Sequence, residues 1–217
     1  MPEYRRRFRR KMDNLHDEIE QAGNLTKESY ELSISLFNDY KKENYEKVIE
    51  NTTQITKTCD QVEKDCIKLL ATQQPVASDL RFIEACIKVS SHLKRMGKLS
   101  RNIAEITDEI KVTAIPSQPL EIMNKMAKEV NSMLKRSIRS FLELNIDEAS
   151  ELEEDDDCVD ELFDEFIIVV TESMKKNKDN IELLVHFLLI GRYLERLADR
   201  SENIGGRTIL TAGHLKN

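Results

Sequence analysis

Two stretches of this chain are copies of one another. Leu93 to Ile103, LKRMGKLSRNI, aligns without a gap on Leu194 to Ile204, LERLADRSENI. Leu, Arg, Ser, Asn and Ile recur at matching positions. The chain therefore reads as a duplication, and whatever the first half folds into, the second half has to repeat. The copies differ in their charges. Glu195 and Asp199 are four residues apart, which stacks them on one face of a helix. Two like charges at that spacing repel by roughly a few tenths of a kcal/mol, so such a pair attracts a cation or a basic side chain. In the first copy the same places hold Lys94 and Lys98.

Composition narrows what the repeated unit is. Of 217 residues only 4 are Pro and 6 Gly, Trp is absent, and 34% are charged. That favours long helices over sheet, which needs more turn residues and β-branched runs. A net charge of -7 argues against a nucleic-acid binder. The one basic cluster, Arg5, Arg6, Arg7, Arg9, Arg10 and Lys11, reads either as a contact for phosphate or an acidic membrane surface, or as a solvated helix start. Cys59, Cys66, Cys86 and Cys158 form no CxxC pair and read as reduced, buried thiols of a cytosolic protein. The N-terminus is charged without an apolar core, so it is not expected to be a signal peptide, and no apolar run is long enough for a membrane span.

Apolar periodicity predicts six helices. The first runs from about Pro2 to Lys42, with a local bend at Gly23-Asn24. The second covers Tyr45 to Thr72, with Val48, Ile55, Cys59, Val62, Cys66 and Leu69 as its seam, and Gln74-Pro75 stops it. Ser78 or Asp79 caps the third, which reaches about Thr113. Ile115 to Pro119 holds two prolines and is the strongest punctuation in the chain. The fourth helix covers Leu120 to Leu144, the fifth starts from a cap at Asn145 or Asp147, and the sixth from Asp179-Asn180. The expected fold is all-α: two tandem three-helix bundles in a pseudo-twofold array. The boundaries are residues 1–114, a linker at 115–119, and residues 120–217.

The fifth helix carries an acidic run, and its stripe of Leu152, Val159, Phe163, Phe166 and Val170 would include Asp156. A carboxylate on such a stripe is expensive unless it is paired or holds a metal. Asp160 lies one turn on. The first-half counterparts are Thr56 and Asp60. Asp156, Asp160, Glu195 and Asp199 thus form a candidate oxygen-rich site for a hard or borderline cation, with Asn203, and Glu202 nearby, as further donors. The alternative is a salt-bridged surface neutralised by Arg192, Arg196 and Arg200. In the first half, Lys94 or Lys98 could pair with Asp60 instead. No catalytic triad, phosphate loop, HExxH or Glu-x-x-His pair can be read, so no catalytic residue is assigned. His92 and His186 adjoin core positions.

QQPVASDLR, residues 73–81, together with LERLADRSENIGG, resembles the motifs of the PhoU family, the accessory regulators of phosphate-specific transport. The similarity covers nearly the whole chain in register. It implies a cytoplasmic, all-helical, commonly dimeric protein that is not an enzyme. It implies contact with the ATPase subunit of the phosphate ABC transporter and with a sensor kinase, no nucleic acid, and at most peripheral membrane association. It also implies that the acidic motifs, here Asp156, Asp160, Glu195 and Asp199, hold iron or another divalent or trivalent cation. With Lys94, Lys98 and Thr56 in the first repeat, metal is expected in the second repeat only. The alternative function is a carboxylate-rich bundle that stores or senses metal.

Overall fold

The computed structural model describes residues 3–110 and 115–215, and all regular structure among them is helical. In order the elements are α1 (Glu3–Asn38), α2 (Lys42–Gln73), α3 (Ala77–Ile110), α4 (Ser117–Glu143), the short α5 (Ile146–Ser150), α6 (Leu152–Lys176), a 3-10 turn (Lys178–Asn180) and α7 (Ile181–Leu215). The three helices α1, α2 and α3 pack on one another, as do α4, α6 and α7. The two sets then join through α3 against α7 and α1 against α4.

Most boundaries follow from the local chemistry read above. Gln74 takes a left-handed conformation (φ 43) and ends α2 just before Pro75. The Asn145 side chain accepts the Glu148 N–H at 3.2 Å and starts α5. Several expectations shift. Pro119 belongs to α4, which begins at Ser117 and not after the proline linker. A proline is tolerated there because the first-turn N–H groups need no partner within the helix. Ser78 and Asp79 lie inside α3, which begins at Ala77. The fifth predicted helix is broken at Glu151 into α5 and α6. Asn177, not Asp179, provides the cap before α7, accepting the Asp179 N–H at 3.0 Å. The expected end of the third helix, near Thr113, falls outside the described residues.

Gly23 does not interrupt α1. It lets α1 and α4 approach: a Cβ there would sit 2.7 Å from Ile138 Cγ2. One apolar core runs through both halves, from Leu15 and Ile19 to Leu194 and Ile204. Aromatic pairs cross between them, Phe37 on Phe187 edge-to-face and Phe82 on Phe141 stacked, each with centroids 6.0 Å apart. Fully buried Tyr30 donates its hydroxyl to Ala127 O at 2.7 Å, a further tie between α1 and α4. Cys59, Cys66 and Cys86 are buried, and burial pushes the Cys59 and Cys66 thiols up to about 12. Cys158 is exposed, contrary to expectation, because it follows the acidic run on the outer side of α6.

His92 sits half-buried where α3 meets α7, and its Nδ1 is buried without a hydrogen-bond partner among the described residues. Burial, followed by Arg200 and Arg207 of α7 and Arg95 and Lys88 of its own helix, lowers its pKa from 6.5 to about 4. The neutral ring is the folded form. Its contribution to stability is complete above the unfolded pKa and is lost as pH falls from 6.5 towards 4. With solvent screening of a half-exposed group, the loss should be about 1 kcal/mol. His92→Gln should therefore flatten the pH dependence of urea midpoints in this window. A variant with the same slope as the parent would show that His92 is not the titrating group.

Candidate functional site

The acidic site predicted in the second half lies between α6 and α7, and its first-half counterparts occupy the equivalent place between α2 and α3. In the second, Leu152 and Val159 anchor one face of α6 in the core, and Leu194, Leu197 and Ala198 do the same for α7. Asp156, Glu195 and Asp199 are thereby held half-buried at the seam, while Asp160 is exposed beside it. The four carboxylates feel one another. The Asp156 carboxyl is pushed up to about 7, by burial first and then by Glu202, Asp199, Asp160 and Glu195. Asp160 and Glu202 are raised by burial and by Asp199, with Asp157 also acting on both. Burial raises Glu195 too, and Arg192 opposes this.

Arg192 donates to Glu195 Oε1, so part of the expected neutralisation by arginine is present. Glu195 Oε2 is nevertheless buried with no hydrogen-bond partner among the described residues. Asn203 presents its Nδ2 to Asp199 O at 2.5 Å, so its amide is engaged with the backbone of its own helix. The carboxylate oxygens are within electrostatic reach but are not gathered to within 4.8 Å of one another. Among the described residues only His16, Asp17 and Glu20 on α1 bring three ligand atoms that close. The sequence reading passed over this set, although His16 and Glu20 are spaced by one helical turn. Asp17 and Glu20 are exposed there, and His16 Nε2 lies 3.3 Å from Leu142 O. A second omission is Arg136 of α4, which reaches across to Glu151 at 3.2 Å and Asp155 at 2.8 Å and screens the start of the acidic run.

In the first half the charge is inverted. Lys94 Nζ pairs with Asp60 Oδ1 at 2.5 Å, the internal ion pair considered from sequence. Thr56 Oγ1 donates to Thr52 O at 2.9 Å. Lys98 and Asn102 line the groove beside them.

Comparison with known proteins places this arrangement. The PhoU domain matches the chain twice, at residues 19–107 and 123–208. The phosphate-specific transport system accessory protein PhoU homolog 1 of Methanothermobacter thermautotrophicus is 45% identical over 93% of this chain and 92% of its own. The PhoU homolog of Clostridium acetobutylicum is 32% identical, covering 94% of each chain. In fold, the crystal structure of PhoU from Pseudomonas aeruginosa superposes with a TM-score of 0.91 at 20% identity, covering 95% of this chain and 99% of that one. The phosphate transport system regulatory protein PhoU from Streptococcus pneumoniae gives 0.85 at 25% identity, covering 94% and 96%. With its domain present in both halves and a relative this similar along nearly the whole length, the chain belongs to the PhoU family.

Proposed function

We propose that this protein regulates phosphate-specific transport by direct contact with the phosphate ABC transporter, through its ATPase subunit, and is not itself an enzyme. The observation that carries the reading is the match to accessory proteins of that transport system across both repeats. It acts in the cytoplasm as a homodimer and passes the phosphate state to a sensor kinase. Its repeats are residues 1–114 and 120–217, joined through 115–119. The mechanism is differential binding: the partner conformation that the protein binds more tightly becomes more populated. An exposed stripe supports action by contact. Ile181, Val185 and Leu189 of α7, spaced by four, are 42%, 45% and 43% exposed. Among the described residues no helix is long and apolar enough to cross a membrane.

The tagged ATPase subunit should retain this protein from extracts of phosphate-replete cells, and deletion of the gene should change phosphate uptake. Recovery of no transporter component, with uptake unchanged by deletion, would end this reading.

A second reading concerns the acidic face, and the buried, unpartnered oxygen of Glu195 favours it. Asp156, Asp160, Glu195 and Asp199 would hold iron or another hard divalent or trivalent cation, with Asn203 contributing its amide oxygen after a flip. The oxygen-only donor set fits such an ion. A bound cation supplies positive charge where four acids now repel. The residues themselves set the electrostatics and orient the α6–α7 pair. A bundle that stores or senses metal remains the alternative use of the same face.

A further inference from the structure

We infer that the groove between α2 and α3 is an anion site that takes a small phosphate-bearing ligand, formed by inverting the charge of the position that is acidic in the second repeat. Thr56, Asp60, Lys98 and Asn102 line it. These are the counterparts of Asp156, Asp160, Asp199 and Asn203. The groove has a volume of about 850 Å³, room for a phosphorylated small molecule as well as for free phosphate.

Four cations and two acids face this space: Lys57, Lys64, Lys98 and Arg101 against Asp60 and Glu105. Both acids are already engaged. Asp60 is held by Lys94 at 2.5 Å, and Glu105 by Arg101 at 2.7 Å. Among the described residues Lys57, Lys64 and Lys98 form no ion pair, although the chain as a whole carries a charge of -7. Lys57 and Lys64 are seven residues apart and so share one face of α2, while Lys98 comes from α3. Three ammonium groups, each a donor with no acceptor capacity, suit an anion with several oxygens and more than one negative charge. A monocarboxylate would leave most of that charge unanswered. The Asn102 amide, also in the lining, adds a donor to the same ligand, whereas the Thr53 hydroxyl already donates to Ile49 O at 3.1 Å.

The test is titration calorimetry at low ionic strength on the full chain, with inorganic phosphate and with adenosine 5′-monophosphate as separate probes. Binding of at least one probe is expected, weakened more than tenfold by Lys98→Glu and by Lys57→Glu with Lys64→Glu. Lys128→Glu, at an exposed lysine of α4 outside the groove, should leave it unchanged. Tighter binding of phosphate assigns the free ion, and tighter binding of the nucleotide assigns a phosphate ester. All three lysines lie on exposed helix surface, and circular dichroism confirms that the variants remain folded. Failure of both probes to bind, or equal affinity in parent and lysine variants, would overturn the inference. So would a loss of dimer in the lysine variants with probe affinity intact, because the groove would then serve an acidic face of a second copy. These outcomes do not depend on transporter contact, so the proposed regulatory role can stand or fall separately.

Discussion

Gly191→Ala is expected to lower stability by about 2–3 kcal/mol, in spite of alanine's better helix propensity. Gly191 lies in the middle of α7 where that helix crosses α6. A Cβ at this position would stand 2.5 Å from Phe166 Cε1, 2.8 Å from its Cδ1 and 3.3 Å from Phe163 Cε2. The Phe166 ring is 0% exposed and rests tilted on Phe187 at 5.9 Å. Phe187 in turn meets Phe37 of α1. The ring cannot swing away without disturbing aromatic contacts that run from α6 through α7 into the other repeat. Phe166→Leu alone should cost about 1–2 kcal/mol through lost packing. Combined with Gly191→Ala it removes the obstructing ring, so the double variant should be more stable than the sum of the two losses by about 1 kcal/mol or more. Gly206→Ala is the internal control. No atom lies within 4 Å of a Cβ there, and the change should add up to about 1 kcal/mol. Urea midpoints of the four variants and the parent decide this. A Gly191→Ala variant as stable as the parent would mean that α6 and α7 do not cross this closely.

Metal content is expected to fall to background in the Glu195→Ala, Asp199→Ala double variant, and to be unaffected by Lys94→Ala with Lys98→Ala. The acidic face gathers Asp156, Asp160, Glu195, Asp199 and Glu202 at one helix seam. The matching place in the first repeat presents Lys94, Lys98 and Thr56 beside a single acid that Lys94 already holds. Unit charges about 4 Å apart near a protein surface interact by roughly 4 kcal/mol, so two lysines strongly disfavour a divalent ion. The converse substitution, Lys94→Glu with Lys98→Asp and Thr56→Asp, should raise the metal content. Asp156→Asn should separate the two roles of the face. It relieves repulsion in the metal-free protein, raising stability by about 1 kcal/mol, and it weakens metal binding. The readings are elemental analysis of protein purified without a histidine tag, and anomalous scattering to place the ions. Ions beside Lys94 and Lys98, or content indifferent to Glu195 and Asp199, would sink the second-repeat proposal.

Whatever depends on neighbours along the chain was legible in the order of residues. Helical periodicity set which residues of α2 and α7 face inward. Gln74-Pro75 and Asn145 marked helix ends, and the paired LKRMGKLSRNI and LERLADRSENI segments marked the duplication and the family. Each of these rests on spacing of a few residues, which the helix geometry converts directly into a shared face or a terminus. Whatever depends on how helices cross emerged only from their packing. It made one core of two repeats through Phe37–Phe187, Phe82–Phe141 and the Tyr30 hydroxyl on Ala127. It turned Gly23 from a candidate bend into a point of close approach, and left Cys158 outside. It gave Asp60 to Lys94 and Arg136 to the acidic run. Periodicity fixes the face a residue occupies on its own helix. The axial shift and crossing angle between helices, which no local spacing encodes, fix the residue that meets it.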